Sequence, residues 1–519
     1  MGYETIGADA VNTLYFDGGL GEGLRTGRLK PRHLEAVVPK QLYELGVSPD
    51  FNKALDIYAG NGAPKDFREK LLDQGDSQIF LAAFSNIDTL SPEERGILGQ
   101  IWYPVVEVSG DIRRRHYEDI VREQWNLGPD FNLNELDNDY VVNGGNAPGL
   151  LKIENYIGGS QIPAGYFGPL MVNGEYANGT YYPILTTHEG VLIKAANAGA
   201  SFTKGVGGVD TMVTRDSMAR GSMFETERII DSKKAGEWIR SHFDDLQEVF
   251  RKREPFVKLT GIEVREAGSS LHVRYIAETG NAMGMNMVTQ ASHDTSKYIA
   301  RECEYITDYT SVSGNTCADK KACQINVVQG RGKTVHAGIV LPASYIADII
   351  GKRVGHDIDP DFAYKKIINA VVDKFYVGSA LAGGAGGTQN SNVANIVAGI
   401  YNTYGQDAAQ IVEGSSAITR INLTSTDEGE DALKFEQVYP TMEVGIIGGG
   451  ASSRLANKLL KAIDCGDPRD PDSAKRFAEI AAASYLSGDL STLIALATGV
   501  LAERHTDSTK TYKTSSDVI

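Results

Sequence analysis

Three charged residues stand side by side within the loop segment 311–333. Asp319, Lys320 and Lys321 follow a Ser-Gly-Asn turn and precede the alternating residues 323–328, which predict a strand leaving the loop. Two adjacent ammonium groups beside a carboxylate can reach a polarised carbonyl and a carboxylate of one ligand together. A solvated surface turn is the other interpretation, because isolated charge runs usually lie in solvent. Residues elsewhere in the chain must decide between the two.

Two acidic residues stand at the ends of expected helices. Thr186 or Thr187 can cap a helix that starts near Glu189, so Glu189 is expected in its first turn, where a carboxylate complements the helix dipole. An apolar helical face ends at Gly405, a residue typical of a helix C-cap, and Asp407 follows it. A carboxylate just past a helix C terminus is unfavourably placed, and residues that break local rules often belong to functional sites. Capping alone would explain Glu189.

A single histidine closes the last expected helix. The apolar periodicity of residues 489–504 predicts that helix, and His505 follows it. A protonated histidine complements the C-terminal end of a helix dipole, so stability alone would explain it. The polar residues 506–519 are expected to form a flexible tail.

The composition indicates a soluble globular protein, and the first residues, MGYETIGADA, have neither a basic start nor an apolar signal core, so a cytoplasmic location is expected. A chain of 519 residues predicts two or three domains. The net charge of −16 argues against nucleic acid or an anionic membrane as a partner. The apolar runs are interrupted before the roughly 18 residues that span a bilayer, so no membrane segment is expected. The four cysteines lack CxxC spacing and predict neither a zinc site nor a disulfide framework.

Residues 222–329 carry the clearest fold pattern. Their periodicity switches between that of strands and that of helices in the order βαββαβ, which is typical of a ferredoxin-like domain. The expected elements are a strand at 222–230, a helix capped by Asp231, strands at 256–264 and 271–277, a helix at 284–306 and a strand beginning at Cys323.

Two glycine-bearing turns suit a bound ligand. Residues 280–287, GNAMGMNM, join a strand to a helix, and a helix N terminus of this kind suits a phosphate or pyrophosphate. The segment is not GxGxxG and no Rossmann unit surrounds it. A second glycine turn is EVGIIGGG, residues 443–450.

These segments together resemble the class I hydroxymethylglutaryl-CoA (HMG-CoA) reductases, in a soluble form. The resemblance runs from about residue 110 to residue 505, and so many ordered matches outweigh the structural explanation of each segment. The matching motifs are ENYIG, TTHEG, GNAMGMNM, SGNTCADKK with GRGK, GSALAG, ANIV with GQDAAQ, EVGIIGGG and LATG. The resemblance implies an α+β fold, with a helix-rich large domain and an inserted ferredoxin-like, nucleotide-binding small domain.

The resemblance also implies a division of the chain and an oligomer. The small NAD(P)-binding domain would be 221–312, between the substrate-binding part 108–220 and the catalytic part 313–505 of the large domain. Residues 1–107 have no assigned role. A homodimer or tetramer is implied, because ENYIG of one subunit meets the active site of the other in this family.

The family's catalytic residues match Glu189, Lys320, Asp407 and His505. The implied reaction takes the HMG-CoA thioester through a hemithioacetal and an aldehyde to mevalonate, with two reduced nicotinamides and no metal. Lys320 would stabilise the oxyanion, Glu189 would donate protons with Asp407 nearby, and His505 would protonate the CoA thiolate.

The family's binding residues also find matches. Two cations at a buried site need an anion, so retention of Arg220 and Lys321 implies a substrate with a free carboxylate. The implied substrate-binding residues are Arg220, Ser313, Asp319, Lys321, Lys374 and Asn395. The implied cofactor-binding residues are Asn281, Met283, Gly284, Met285, Asn286, Val444 and Gly445.

Several positions depart from the family pattern. Asn281 replaces an aspartate, Asn392 replaces a histidine, and His188 is inserted before Glu189. Glu254 and Pro255 stand where a Ser-Arg pair binds the NADP 2′-phosphate.

These departures leave the cofactor and the reaction open. Glu254 would repel that phosphate and favour NADH, whereas Arg251 and Arg253 would retain NADPH. One rival hypothesis is a reductase of another carboxylated acyl-CoA, or mevalonate oxidation. Another is a non-catalytic CoA-ester-binding homologue, against which all four titrating residues are present.

Overall fold

A computed structural model of the protein describes residues 118–129, 131–132, 161–384 and 386–498. The chain divides into two units, residues 1–135 and 136–519. In the first unit, residues 118–125 are helical, and Arg122 pairs with Glu118 and Asp119 at 3.2 Å each. The segment 1–107, ENYIG and His505 lie outside the described residues.

One long strand organises the second unit. Strand β5 has 17 residues, and its two halves pair with different partners. Asp210–Ser217 pairs with β9, while Met218–Glu225 pairs with β7. The strands are β1 (Ala164–Tyr166), β2 (Leu170–Gly174), β3 (Asn178–Tyr181), β4 (Ile184–Thr186), β5 (Val209–Glu225), β6 (Lys258–Ala267), β7 (Ser270–Glu278), β8 (Asp308–Ser311), β9 (Gly332–Pro342), β10 (Ile418–Ser425) and β11 (Asp431–Met442).

The helices cover both parts of this sheet. They are α1 (Leu192–Lys204), α2 (Ile229–Ser241), α3 (Phe243–Arg253), α4 (Met285–Glu302), α5 (Gln324–Gln329), α6 (Ala343–Val354), α7 (Pro360–Val371), α8 (Val393–Thr403), α9 (Ile411–Gly414), α10 (Arg454–Ala462) and α11 (Ser473–Ala497). Helix α7 continues as a π-helical turn, Val372–Gly378.

The second half of β5 begins a ferredoxin-like unit. The strands lie in the order β8-β5-β7-β6, all antiparallel, with α2, α3 and α4 between them in the chain. Its apolar core includes the fully buried Phe224, Leu246, Phe250 and Tyr275. This confirms the predicted βαββαβ order.

Three details of that prediction are wrong. The last strand is β8 and does not begin at Cys323. The expected single helix is two helices that meet at His242, because the backbone leaves the α-helical conformation there, with φ −106° and ψ 25°; both helices pack against β6. The first strand ends at Glu225, and Asp231 lies in the first turn of α2, where it pairs with Arg228 at 2.9 Å.

Residues 324–329 form a short helix where a strand was predicted at 323–328. The amide of Asn326 donates to the carbonyls of Ala318 and Lys321, at 2.9 and 3.0 Å. These bonds fold α5 back onto the loop of charged residues. The local apolar alternation that predicted a strand is overridden by this contact with the loop.

The first half of β5 lies in the larger sheet, whose order is β10-β11-β9-β5-β2-β3. Helix α11 packs against α1, β5 and β9. It begins at Ser473, so the helix predicted at 489–504 starts 16 residues too late. Residues 477–488 are buried on every side and show no one-sided apolar pattern to detect. Helix α11 is long and apolar enough to cross a membrane. However, 83% of its most apolar 18-residue stretch is buried inside the protein, as in a core helix.

The close contact between α1 and α11 depends on a glycine. A Cβ atom on Gly199 would overlap the carbonyl of Ser487. We expect Gly199→Ala to lower the free energy of unfolding by about 1–3 kcal/mol, because two packed helices must separate. Urea unfolding measures this change. Gly261→Ala is the control, since its added methyl would lie 3.8 Å from Ile276; an equal loss in both variants would contradict the prediction.

Candidate active site

Lys320 is held in an uncommon backbone conformation within a strained loop. Asn315, Ala318 and Lys320 all have positive φ, and that of Lys320 is 58°. Its N–H donates to Oε1 of Glu413 at 2.6 Å, which fixes this conformation. The side chain of Lys320 then reaches Asp407, with Nζ 3.1 Å from Oδ2. The charged loop is therefore a built site and not a solvated turn.

Asp407 begins a new helical turn. Helix α8 ends at Thr403 and Gly405 has a φ of 66°, as predicted for its C-cap region. Asp407 then accepts the N–H of Ala409 at 3.0 Å and caps the 3-10 turn Ala408–Gln410. Its carboxylate is thus fixed by a backbone donor and by Lys320.

Glu189 lies in a turn before α1, because that helix begins only at Leu192. The prediction that Glu189 occupies the first helical turn is wrong, since Thr187 instead accepts the N–H of Glu189 at 2.9 Å. The amide of Asn395 donates to Oε2 of Glu189 at 2.6 Å. The structure therefore brings together two of the predicted site residues, Glu189 and Asn395. The inserted His188 is exposed.

Three of the four predicted catalytic residues take part in two pairs, one of which includes the predicted substrate-binding residue Asn395. Lys320 pairs with Asp407, and Glu189 pairs with Asn395. Within the described residues, no hydrogen bond or ion pair joins one pair to the other. The predicted proximity of Glu189 to Asp407 stays a prediction, and His505 lies outside the described part of the chain.

Basic groups surround Asp319. Nη1 of Arg220 lies 3.7 Å from Oδ2 of Asp319, and Nζ of Lys321 donates to the Asp319 carbonyl at 2.9 Å. Burial alone would raise the pKa of Asp319, but Arg331 and Lys320 hold it below its usual value. Nε of Arg220 is buried and has no partner among the described residues. Arg220 and Lys321 thus lie on either side of Asp319, and the Nε donor of Arg220 is left unpaired.

Hydrogen bonds connect the loop before α8 to the middle of α11. The buried Asp489 accepts the N–H groups of Ser391 and Asn392, at 2.6 and 2.9 Å, and the amide of Gln437 at 2.7 Å. Burial raises the pKa of Asp489 to about 6, and these donors oppose the rise. Asn392, which departs from the family pattern, is fixed by its backbone, and α8 then carries Asn395. Lys374 is exposed in the π-helical turn.

The two predicted cofactor loops meet. Gly284, with a φ of 88°, is the N-cap of α4 and supplies no side-chain cap. The N–H of Ile446 donates to the Asn281 carbonyl at 2.8 Å, and a Cβ atom on Gly445 would overlap the backbone of Met283. The first turn of α4 thus keeps N–H groups that suit a dinucleotide phosphate.

The buried Lys333 and the partly exposed Asp216, a pair that the sequence did not reveal, hold this loop in place. Nζ of Lys333 donates to the Gly280 carbonyl at 3.0 Å, and the Gly280 N–H donates to Asp216 at 3.1 Å. Burial lowers the pKa of Lys333, while Asp216, 3.6 Å away, opposes the change. The GRGK motif, which contains Lys333, could be recognised in the sequence. The contact of Lys333 with Asp216, 117 positions earlier (333 − 216), could not.

Asn281 uses its side chain within the fold. Its Nδ2 donates to the carbonyls of Asp470 and Pro468, at 2.7 and 3.4 Å, and its Oδ1 accepts the N–H of Ala474 at 3.0 Å. The two carbonyls need a donor, which an aspartate carboxylate cannot supply. This requirement accounts for asparagine at the position.

Three carboxyl groups converge beneath the Lys320 loop. One oxygen from each of Asp319, Glu413 and Glu443 lies within 4.8 Å of the others. The guanidinium of the fully buried Arg331 contacts all three. The Arg331 guanidinium thus lies where a metal ion would have to bind, although it does not pair with every carboxyl oxygen of the cluster.

Comparisons with known proteins agree with the motifs. A family model described as hydroxymethylglutaryl-coenzyme A reductase matches residues 144–510. The 3-hydroxy-3-methylglutaryl-coenzyme A reductase of Methanocaldococcus jannaschii is 36% identical over 68% of this chain and 84% of its own length. That of Pyrococcus horikoshii is 39% identical over 68% of this chain and 82% of its own.

A solved structure shares the fold. The class II 3-hydroxy-3-methylglutaryl-CoA reductase from Streptococcus pneumoniae, bound to NADPH in open conformations, superposes with a TM-score of 0.51. It is 19% identical, and the match covers 66% of this chain and 78% of that chain. At this identity the likeness concerns the fold alone.

The contacts of Asn281 predict the effect of restoring an aspartate. Asn281→Asp should lower the free energy of unfolding by about 1–3 kcal/mol, because a carboxylate would face two carbonyl oxygens. Thermal unfolding measures the loss. Asn369→Asp, at an exposed position of α7, is the control. Unchanged stability of Asn281→Asp would show that these hydrogen bonds do not form.

Proposed function

The chain belongs to the hydroxymethylglutaryl-CoA reductase family, and we propose on this basis that it reduces (S)-HMG-CoA to (R)-mevalonate and CoA. It is an NAD(P)H-dependent oxidoreductase, and two reduced cofactors supply the four electrons. Its product enters the mevalonate pathway of isoprenoid biosynthesis. The observation that carries the proposal is the Lys320–Asp407 pair beside Arg220, Asp319 and Lys321.

Lys320 stabilises the negative charge that grows on the thioester oxygen. A preorganised cation gives a large electrostatic gain, because it does not have to reorient as the charge develops. Lys320 is preorganised in this sense, because Glu413 fixes its backbone and Asp407 holds its ammonium group at 3.1 Å.

Glu189 supplies protons to the reduced oxygen. Asn395 donates to one carboxyl oxygen and so orients the other toward the substrate. His505 protonates the leaving CoA thiolate. The terminal carboxylate of the substrate binds Arg220 and Lys321, while Ser313, Lys374 and Asp319 complete the substrate site.

A dinucleotide fits the paired glycine loops. Met283, Gly284, Met285 and Asn286 provide the N terminus of α4 for its phosphate groups, with Val444 and Gly445 against it. The dinucleotide supplies the hydride when bound. We assign NADPH as the cofactor, because the exposed Arg251 and Arg253 at the end of α3 would retain its 2′-phosphate. NADH is the alternative, because Glu254, which follows them, would repel that phosphate.

We also assign the chain to class I in its soluble form. On this assignment, residues 221–312 are the NAD(P)-binding domain, the flanking parts form the large domain, and the protein is a cytoplasmic homodimer or tetramer. The apolar core of this region supports the division, because all of its residues except Met218 lie within 221–312.

The reaction itself gives a first prediction. With HMG-CoA, two molecules of NADPH should be oxidised for each mevalonate formed, because a thioester is reduced to an alcohol in two steps. Absorbance of the reduced nicotinamide and product quantification measure the ratio, with parallel assays using NADH. Oxidation of the cofactor without formation of mevalonate, or no oxidation of either cofactor, would support another acyl-CoA substrate or a non-catalytic role.

The assigned role of Lys320 gives a second prediction. Lys320→Ala should lower kcat by at least about 10²–10³-fold, because the main stabilisation of the oxyanion is lost. The control is Lys352→Ala, which removes an exposed lysine that pairs with Asp348 at 2.6 Å on α6. A folded Lys320→Ala variant with undiminished kcat would remove this lysine from the mechanism.

A further inference from the structure

A fully buried arginine connects four parts of the site. Nη1 of Arg331 lies 3.1 Å from both Asp319 and Glu413 and also pairs with Glu443. Its Nη2 donates to Sδ of Met285 at 2.7 Å. These partners belong to the Lys320 loop, the segment after Asp407, the second glycine loop and the start of α4. One guanidinium therefore links the reactive lysine to both cofactor loops.

Glu413 is the member of this cluster that contacts Lys320. Its Oε1 receives the N–H of Lys320 at 2.6 Å and Nη1 of Arg331 at 3.1 Å. A lysine at positive φ is strained, and such a conformation persists only where surrounding contacts impose it. Without this acceptor, the Lys320 N–H would be left unpaired and the left-handed conformation would lose its support.

The cluster holds more carboxyl groups than its guanidinium can neutralise. Burial raises the pKa of Glu413 to about 7, and the nearby backbone donors and Arg331 oppose the rise. Oε2 of Glu413 and Oε2 of Glu443 have no hydrogen-bond partner among the described residues. A proton on Glu413 therefore fits the site, and Oε1 stays an acceptor for Lys320 in either protonation state. The titratable groups that face Glu413 are Asp319, Lys320, Arg331, Tyr401 and Glu443.

We propose that Glu413, anchored by Arg331 and Glu443, is a positioning residue that holds Lys320 in its left-handed conformation and so aims the ammonium group at Asp407 and the substrate. This inference rests on the proposed reductase function for its kinetic consequence. Glu413 acts through its reach to the Lys320 N–H and does not touch the substrate. Its charge is secondary, because the acceptor remains when the carboxyl is protonated.

Two conservative substitutions separate reach from charge. Glu413→Asp keeps the carboxylate but withdraws it by one methylene, whereas Glu413→Gln keeps the reach and removes the charge. We expect Glu413→Asp to lower kcat roughly ten- to hundredfold, with the KM for HMG-CoA within about threefold, since misplaced catalytic groups are costly. Glu413→Gln should keep kcat within about threefold of the wild type.

A matched control separates positioning from stability. Glu479 is also a buried glutamate that receives two backbone N–H groups, from Tyr176 and Ala177 at 2.9 and 2.7 Å. Glu479→Asp should lower the Tm, as Glu413→Asp does, but keep kcat. Full kcat in Glu413→Asp, equal losses in Glu413→Asp and Glu413→Gln, or an equal kcat loss in Glu479→Asp would each overturn the proposal.

Crystal structures of both Glu413 variants supply a result that does not depend on turnover. Lys320 should leave the left-handed region in Glu413→Asp and keep it in Glu413→Gln; unchanged backbones in both would overturn the proposal. If Glu413→Asp does not fold, Glu413→Gln still decides, since a tenfold loss of kcat there would refute the role of reach. A wild-type enzyme that does not reduce HMG-CoA would refute the proposed function, and the structures would still test the positioning.

Discussion

The pairing of β5 with two different sets of strands is the constraint on which the rest of the structure depends. Its first half holds Asp216 between β9 and the cofactor loop, and its second half holds Arg220 opposite Tyr275 of β7. A strand cannot slip by one residue without turning its side chains to the opposite faces. The register of β5 therefore fixes both the contacts of the predicted cofactor loop and the position of Arg220, the proposed substrate-binding arginine.

The buried charged groups around β5 are stabilised by different kinds of partner. Lys333 is buried against Asp216 and a carbonyl, Asp489 against backbone N–H groups, and Arg331 against carboxylates. A buried charge without partners is costly, so each of these residues fixes the geometry of the loop that supplies its partners. The loops of the site thereby gain definite conformations from the protein interior, although Lys320 and Asp407 themselves remain partly exposed.

Much of the fold and part of the site could be predicted from local patterns. The βαββαβ order follows from alternation and periodicity, and the glycine turns follow from composition. The strand expected at Cys323 was wrong because Asn326 bonds back to Ala318, and the start of α11 was missed because a helix buried on all sides has no polar face. Arg331 pairs with partners 82 and 112 positions away, and no local pattern reports such distances.

The departures from the family pattern bear unequally on function. The Asn281 amide makes its hydrogen bonds with the start of α11 and the segment before it. Asparagine at this position therefore fixes the loop to that segment and does not alter the N terminus of α4. Glu254 is different, because it ends α3 next to exposed arginines and no contact of the fold requires its carboxylate among the described residues. Within the proposed function, the choice between NADPH and NADH is therefore a balance between Glu254 and its basic neighbours, and Asn281 does not enter it.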